Sequence, residues 1–164
     1  MSSLFLLDRS AHSVSFAEYP DPSSTVWLEF QMLNLPLLKF GTISSIPADE
    51  LVYHLKNDIR EASRAIESKN PDVLISSGKA CLVHCELIAS NDWAGKNVFI
   101  DFPDAAWLIP GKALKRKSIF LSTHEPEDKR LTLRPPKKSI ELHEVIPSAI
   151  DASQIKNYVQ EHFF

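Results

Sequence analysis

Chemistry-bearing side chains lie closest together in the segment ACLVHCELIA, which places Cys81, His84 and Cys85 within five positions. In a helix these three residues would share one side and could bind a soft metal ion, since zinc prefers thiolate and imidazole ligands. In a strand, Cys81 and Cys85 would be separated by roughly 13 Å, which is too far for a disulfide or a shared metal ion. The secondary structure of this segment therefore decides its chemistry.

Turn residues on both sides limit the length of this segment. Ser76-Ser77-Gly78 precede it and Ser90-Asn91-Asp92 follow it, which leaves about ten residues, a length that suits a strand better than a helix. No second C-x-x-C or H-x-x-x-H motif occurs to complete a set of ligands. We therefore predict a strand in which both cysteines are small buried hydrophobes, and we predict neither a metal site nor a cofactor.

Carboxylates provide an alternative, catalytic interpretation. Metal-dependent nucleases place an aspartate before one strand and a Glu-x-Lys motif on the next, so that carboxylates hold the metal ion and lysine contacts the phosphate. Asp72 and Glu86 have this order, but Ile88 stands where the lysine should be. The alternative function is therefore a small metal-dependent hydrolase or nuclease that uses Asp72, Glu86, Asp101 and a histidine such as His84.

Other catalytic motifs are missing from the sequence. The chain contains only four glycines, and they are too widely spaced for a dinucleotide-binding fingerprint or a phosphate-binding loop. No serine lies in a G-x-S-x-G nucleophile elbow. These features favour a protein that binds a partner without catalysis.

Acidic and aromatic residues alternate in the segment 92–109, and this composition is typical of a protein-recognition surface. We expect a protein-binding protein, of the inhibitor or toxin-immunity type in general character, that occludes the active site of a basic partner such as a nuclease toxin. The predicted partner-binding residues are Asp92, Trp93, Asp101, Asp104 and Trp107.

Charge is distributed unevenly along the chain. Residues 1–110 carry a net charge of −6, residues 111–138 carry +6 and residues 139–164 carry −3. The basic block could contact nucleic-acid phosphates, but the whole chain is acidic and no aromatic residue interrupts KALKRK. Nucleic-acid binding is therefore the weaker expectation, and its candidate residues are Lys112, Lys115, Arg116 and Lys117.

The elements that position these residues can be predicted from hydrophobic periodicity. Residues 25–32 alternate like a half-buried antiparallel strand, and residues 48–68 carry an apolar stripe at helical spacing. Further strands are predicted over residues 13–16, 97–102, 118–122 and 139–146, and Asp151 begins a C-terminal helix. Because strands and helices do not alternate, we predict an α+β fold, with a mainly antiparallel sheet packed against one central helix and a short C-terminal helix.

Length and hydropathy indicate the broad class of the protein. The chain of 164 residues has the size of one globular domain, spanning residues 1–164. It contains no apolar stretch long enough for a secretory signal or a membrane span. We therefore expect a soluble cytoplasmic protein with reduced thiols.

Overall fold

The computed structural model describes residues 2–8, 25–30, 48–101, 118–122, 140–145 and 152–163. These residues form six strands and three helices. In chain order, the elements are β1 (Ser3–Asp8), β2 (Thr25–Phe30), α1 (Ala48–Lys69), β3 (Val73–Ser77), α2 (Ala80–Ala89), β4 (Lys96–Ile100), β5 (Ser118–Ser122), β6 (Ile140–Val145) and α3 (Ala152–Phe163).

The six strands form one sheet in the order β2-β1-β3-β4-β5-β6, and every neighbouring pair is parallel. The predicted mainly antiparallel α+β fold is therefore wrong. The chain passes from β1 outward to β2, returns past β1 to β3, and then continues in one direction to β6. This reversal between β1 and β3 is typical of a doubly wound α/β sheet.

Strands β1, β3 and β4 are buried on both faces, which explains why the antiparallel prediction failed. Leu4 and Leu6 of β1 belong to the apolar cluster that includes α1 and α2, whereas Phe5 belongs to the cluster that includes α3. Strands covered on both faces have nearly continuous apolar sequences instead of alternating ones. The runs in β1, β3 and β4 are of this kind, and β1 was not predicted as a strand at all.

Helix α1 confirms the predicted central helix. Leu55 and Ala62 are buried in the core, and Ile59 and Ile66 pack against the same cluster. The helix ends where Asn70 adopts a left-handed φ of 43° and donates a backbone hydrogen bond of 2.8 Å to the Ile66 carbonyl.

Helix α2 replaces the strand that was predicted for residues 80–89. Its side chains are buried around almost the whole circumference of the helix, from Ala80 to Ile88, and only Glu86 in that range is partly exposed. A helix enclosed on all sides has no polar face and hence no helical period in its sequence. This burial is the physical reason for the wrong prediction.

The remaining elements fit the predicted strand and helix positions more closely. Strands β2, β4, β5 and β6 lie within or next to the ranges predicted for them, and α3 confirms the C-terminal helix. The strand predicted over residues 13–16 lies outside the described residues. Among the described helices, none is both long and apolar enough to cross a bilayer.

Candidate functional site

Doubly wound sheets bind ligands at the carboxyl ends of their strands, at the point where the order of the strands reverses. In this protein, that place lies between the ends of β1 and β3. Asp8 ends β1, and Gly78 and Lys79 connect β3 to α2. Asp101 follows β4 at the same edge and has a left-handed φ of 50°.

The two-residue turn from β3 to α2 is sharp. Gly78 has a left-handed φ of 56° and donates a backbone hydrogen bond of 2.9 Å to the Ile100 carbonyl. A strand-to-helix turn of this kind carries the nucleophile in α/β hydrolases, where the serine stands at its centre. Here the sequence around the turn is Ser76-Ser77-Gly78-Lys79-Ala80, so the central position has no side chain, and Ser76 and Ser77 are both buried.

The Asp8 carboxylate accepts a hydrogen bond from the backbone N–H of the residue that follows Gly78. The Lys79 N–H donates a hydrogen bond of 3.1 Å to Oδ2 of Asp8, and Asp8 is only 6 % exposed. In hydrolases of the elbow type, the N–H after the nucleophile helps to form the oxyanion hole. In this protein the same donor binds an internal carboxylate, which also lies favourably at the positive end of the α2 dipole.

No relative assigns a reaction to this turn. Comparisons with protein-family models, with curated proteins and with solved structures find no match to the chain. Its function therefore has to be inferred from its own side chains and their surroundings.

A buried polar network links α2 to β3 and β4. Ser76 Oγ lies 2.7 Å from Nδ1 of His84, and Nε2 of His84 lies 2.8 Å from Oδ1 of Asn97. The Trp93 indole N–H donates to the same Asn97 oxygen over 2.9 Å. Because that oxygen can only accept, the network assigns the His84 proton to Nε2, and Ser76 then donates to Nδ1.

This serine, histidine and asparagine resemble a catalytic triad only in residue type. Ser76 and His84 are both 0 % exposed, and the imidazole stacks on Phe99 with ring centroids 4.3 Å apart. Burial lowers the pKa of His84 to about 3, although the hydrogen bond with Asn97 partly opposes this shift. The neutral imidazole is therefore a packed core group without access to substrate.

The two cysteines are part of the same core. Cys81 Sγ lies 3.3 Å from Ser76 Oγ and donates a weak hydrogen bond of 3.7 Å to the Ile100 carbonyl. Burial raises the pKa of Cys81 to about 12 and also raises the pKa of Cys85. Although α2 is a helix, both ring nitrogens of His84 already have partners, and among the described residues no three acidic, histidine or cysteine side chains could hold a metal ion.

The carboxylates of the alternative hydrolase are not brought together. Asp72 precedes β3 and Asp101 follows β4, so that they lie at opposite ends of two paired parallel strands, roughly 20 Å apart along the strand direction. Asp72 accepts a 2.8 Å hydrogen bond from the Ser2 backbone N–H, which lowers the pKa of Asp72. Glu86 lies on α2, where partial burial raises its pKa.

The predicted partner-binding residues are also separated. Asp92 is exposed before β4, whereas Asp101 lies at the opposite end of that strand. Trp93 is only 7 % exposed and packs so closely on Gly95 that a Cβ atom there would clash with the indole ring. Trp93 is thus a core residue and supplies no aromatic surface.

Several predicted positions lie outside the described residues. Among the predicted partner-binding residues, these positions are Asp104 and Trp107. All four nucleic-acid candidates, Lys112, Lys115, Arg116 and Lys117, also lie there.

Sequence reasoning missed the pair formed by Asp8 and the Lys79 N–H. The available signal was the apolar run of β1, which ends in an aspartate, together with the run VLIS followed by Ser-Gly-Lys. Two apolar runs of this kind indicate buried parallel strands whose carboxyl ends meet at one edge.

Proposed function

We propose that this protein is non-catalytic and acts by binding another protein. The observation that carries the proposal is the turn between β3 and α2. Gly78 stands where an elbow nucleophile would stand, and Asp8 occupies the Lys79 N–H that would stabilise an oxyanion. The turn therefore lacks both a nucleophile and a free oxyanion donor.

The buried reactive groups support the same proposal. His84 and Cys81 are fully enclosed and bind neighbouring core groups. A general base has to reach the proton that it abstracts, and a nucleophilic thiol has to ionise near neutral pH. The buried His84 cannot reach a substrate proton, and the Cys81 thiol does not ionise near neutral pH. Their role in this proposal is therefore to stabilise the fold.

A narrower form of the proposal is an inhibitor or toxin-immunity protein that covers a basic active site. Its remaining support is Asp101, which is partly exposed at the carboxyl edge of the sheet and lies in the acidic and aromatic segment 92–109 together with Asp104 and Trp107. Carboxylates placed in this way would attract the cationic active site of a nuclease toxin. Trp93 is buried in the core, and Asp92 lies at the opposite end of β4 from Asp101. Neither residue therefore supports this narrower form.

The alternative hydrolase or nuclease has less support from the geometry. It requires Asp72, Glu86 and Asp101 to share one metal ion, but the first and last of these lie at opposite ends of paired strands. A carboxylate-bound metal ion needs ligands within about 2.0–2.6 Å of its centre. The separation of Asp72 from Asp101 is several times too large.

The proposal can be tested by combining site-specific photocrosslinking with activity assays. p-Benzoylphenylalanine is introduced in the native host at Asp101, at Asn57 on α1 and at Gln160 on α3, and the crosslinked species are identified by mass spectrometry. The purified protein is tested in parallel with p-nitrophenyl acetate, with a fluorophosphonate probe, and with DNA and RNA substrates in the presence of Mg²⁺. We expect a defined protein crosslink from at least one position, with no turnover and no covalent labelling.

Two results would overturn the proposal. One is the absence of a specific protein crosslink at all three positions. The other is ester or nucleic-acid turnover that copurifies with the wild-type protein and disappears when Asp72 or Asp101 is replaced by asparagine.

A further inference from the structure

The outward face of α1 carries a basic ridge, which we define as Tyr53, Lys56, Asn57, Arg60 and Arg64. All five residues are exposed, and the Tyr53 side chain is 73 % exposed. At 3.6 residues per turn, these positions fall on the side opposite the buried residues Leu55 and Ala62. The ridge therefore faces away from the sheet.

Among the three cations of the basic ridge, only Arg64 has acidic neighbours at helical spacing, Glu61 and Glu67. Lys56, Arg60 and Arg64 follow one another at four-residue spacing, and like charges at this spacing repel each other. Neither Lys56 nor Arg60 has an acidic residue three or four positions away in the sequence. Since no acidic residue at helical spacing in α1 explains these two cations, an external partner of opposite charge would explain their placement.

We propose that the basic ridge binds an acidic segment of a partner protein, an inference that rests on the proposed protein-binding function. The two arginines can each donate two parallel hydrogen bonds to one carboxylate, and Lys56 adds a third positive charge. Tyr53 contributes an exposed aromatic ring at the end of the ridge. Tyrosine and arginine are the residue types that most often dominate the energy of protein interfaces.

The size and surroundings of the ridge favour a protein segment over nucleic acid. The three cations span about 12 Å of helix, at 1.5 Å per residue, which matches two turns of a partner helix with carboxylates four positions apart. Glu61 and Glu67 flank the ridge, and the whole chain has a net charge of −3. These negative charges would oppose a phosphate backbone that extends beyond the ridge.

The basic ridge of a second copy does not fit this ridge. If two α1 helices packed antiparallel around a two-fold axis at the centre of the ridge, Arg60 would face Arg60 and Lys56 would face Arg64. A parallel arrangement would also place like charges together. The ridge therefore does not pair with itself, and we assign it an acidic segment of a partner protein.

The test uses the photocrosslinker at Asn57, in the middle of the ridge, and at Gln160 on α3 as the reference position. The protein with the crosslinker at Asn57 is compared with the same protein carrying Arg60→Gln or Gln160→Glu, two substitutions that each make the net charge more negative by one. The protein with the crosslinker at Gln160 is compared only with its Arg60→Gln form. Crosslinked peptides are sequenced by mass spectrometry. Circular dichroism and thermal unfolding verify that each variant is folded.

We expect the Asn57 crosslink to map to a protein segment with several closely spaced Asp or Glu residues. R60Q should lower its yield at least fivefold, whereas Q160E should change it less than twofold. A crosslink from Asn57 to nucleic acid, to a segment without acidic residues, or with a yield insensitive to R60Q would overturn the inference. A protein crosslink at Asp101 or Gln160 but none at Asn57 would also overturn it, while leaving the broader protein-binding proposal intact.

Discussion

The Lys79 backbone N–H donates a hydrogen bond of 3.1 Å to the Asp8 carboxylate, which connects residues 71 positions apart in the sequence. This bond joins the carboxyl end of β1 to the N-cap residue of α2, at the place where the sheet reverses its direction of winding. A carboxylate at the positive end of a helix is stabilised by the helix dipole. In this protein, the location that most often binds a ligand in such sheets is thus occupied by a side chain of the protein itself.

Removing the Asp8 carboxylate should destabilise the fold. Asp8→Ala leaves the Lys79 N–H without this acceptor, and we expect the free energy of unfolding to fall by about 1–3 kcal/mol, the usual cost of losing a hydrogen bond to a charged group. Asp8→Asn keeps an acceptor oxygen and should cost less. Urea denaturation measures both values. Equal stability of D8A and the wild type would show that the bond has no structural role.

Placing a serine at the centre of the turn should not create a hydrolase. Gly78 has a left-handed φ of 56°, so Gly78→Ser and Gly78→Ala should each lower the free energy of unfolding by about 1–2 kcal/mol. Because Asp8 already accepts the Lys79 hydrogen bond, G78S should release no burst of p-nitrophenol from p-nitrophenyl acetate. A burst with G78S but not with G78A would contradict our description of the turn.

His84 should make the protein less stable as the pH falls through the acidic range. Its pKa is about 3 in the folded state and 6.5 in the reference state, so between these values the unfolded chain binds more protons. The free energy of unfolding should be fully developed above pH 6.5 and should decrease below it, with a slope approaching about 1.4 kcal/mol per pH unit.

The contribution of His84 can be separated from that of the carboxylates by replacing it. His84→Gln keeps polar atoms near Ser76 and Asn97 but cannot be protonated in this range. Unfolding free energies of wild type and H84Q, measured between pH 4 and pH 7, should converge as the pH falls. Parallel curves over that range would mean that the pKa of His84 is not lowered in the folded protein.

The helices with one apolar stripe could be predicted from the sequence, and the buried elements could not. Helix α1 has an exposed face with Lys56 and Arg60 and a buried face with Leu55. Polar and apolar residues therefore alternate in its sequence with the helical period of 3.6 residues. Helix α2 is enclosed by α1 and the sheet, and ten residues that are nearly all apolar have no period to detect. For the same reason, no strand was predicted for the residues of β1.

The direction of the strands was the larger error, and it also affected the prediction of the site. An antiparallel sheet would not place the carboxyl ends of β1 and β3 side by side. Neither Asp8 nor Gly78 was therefore predicted to be part of a site. The predicted sites relied on residues that are near each other in sequence, such as Asp92 and Trp93. In the parallel sheet, residues distant in sequence meet at one edge, while Asp92 and Asp101 lie at opposite ends of β4.

Ser118 offers a test of the buried polar groups around β4 and β5. Ser118 is 1 % exposed, and its hydroxyl has no hydrogen-bond partner among the described residues, although Ser118 pairs with Asn97 in the sheet. A buried polar atom without a partner is unfavourable, so Ser118→Ala should raise the free energy of unfolding by about 1 kcal/mol. Ser76→Ala is the matched control, because it removes the hydrogen bond to His84 and should lower the free energy of unfolding by about 1–3 kcal/mol. If S118A proved as destabilising as S76A in urea denaturation, the Ser118 hydroxyl would have to belong to the hydrogen-bonded network.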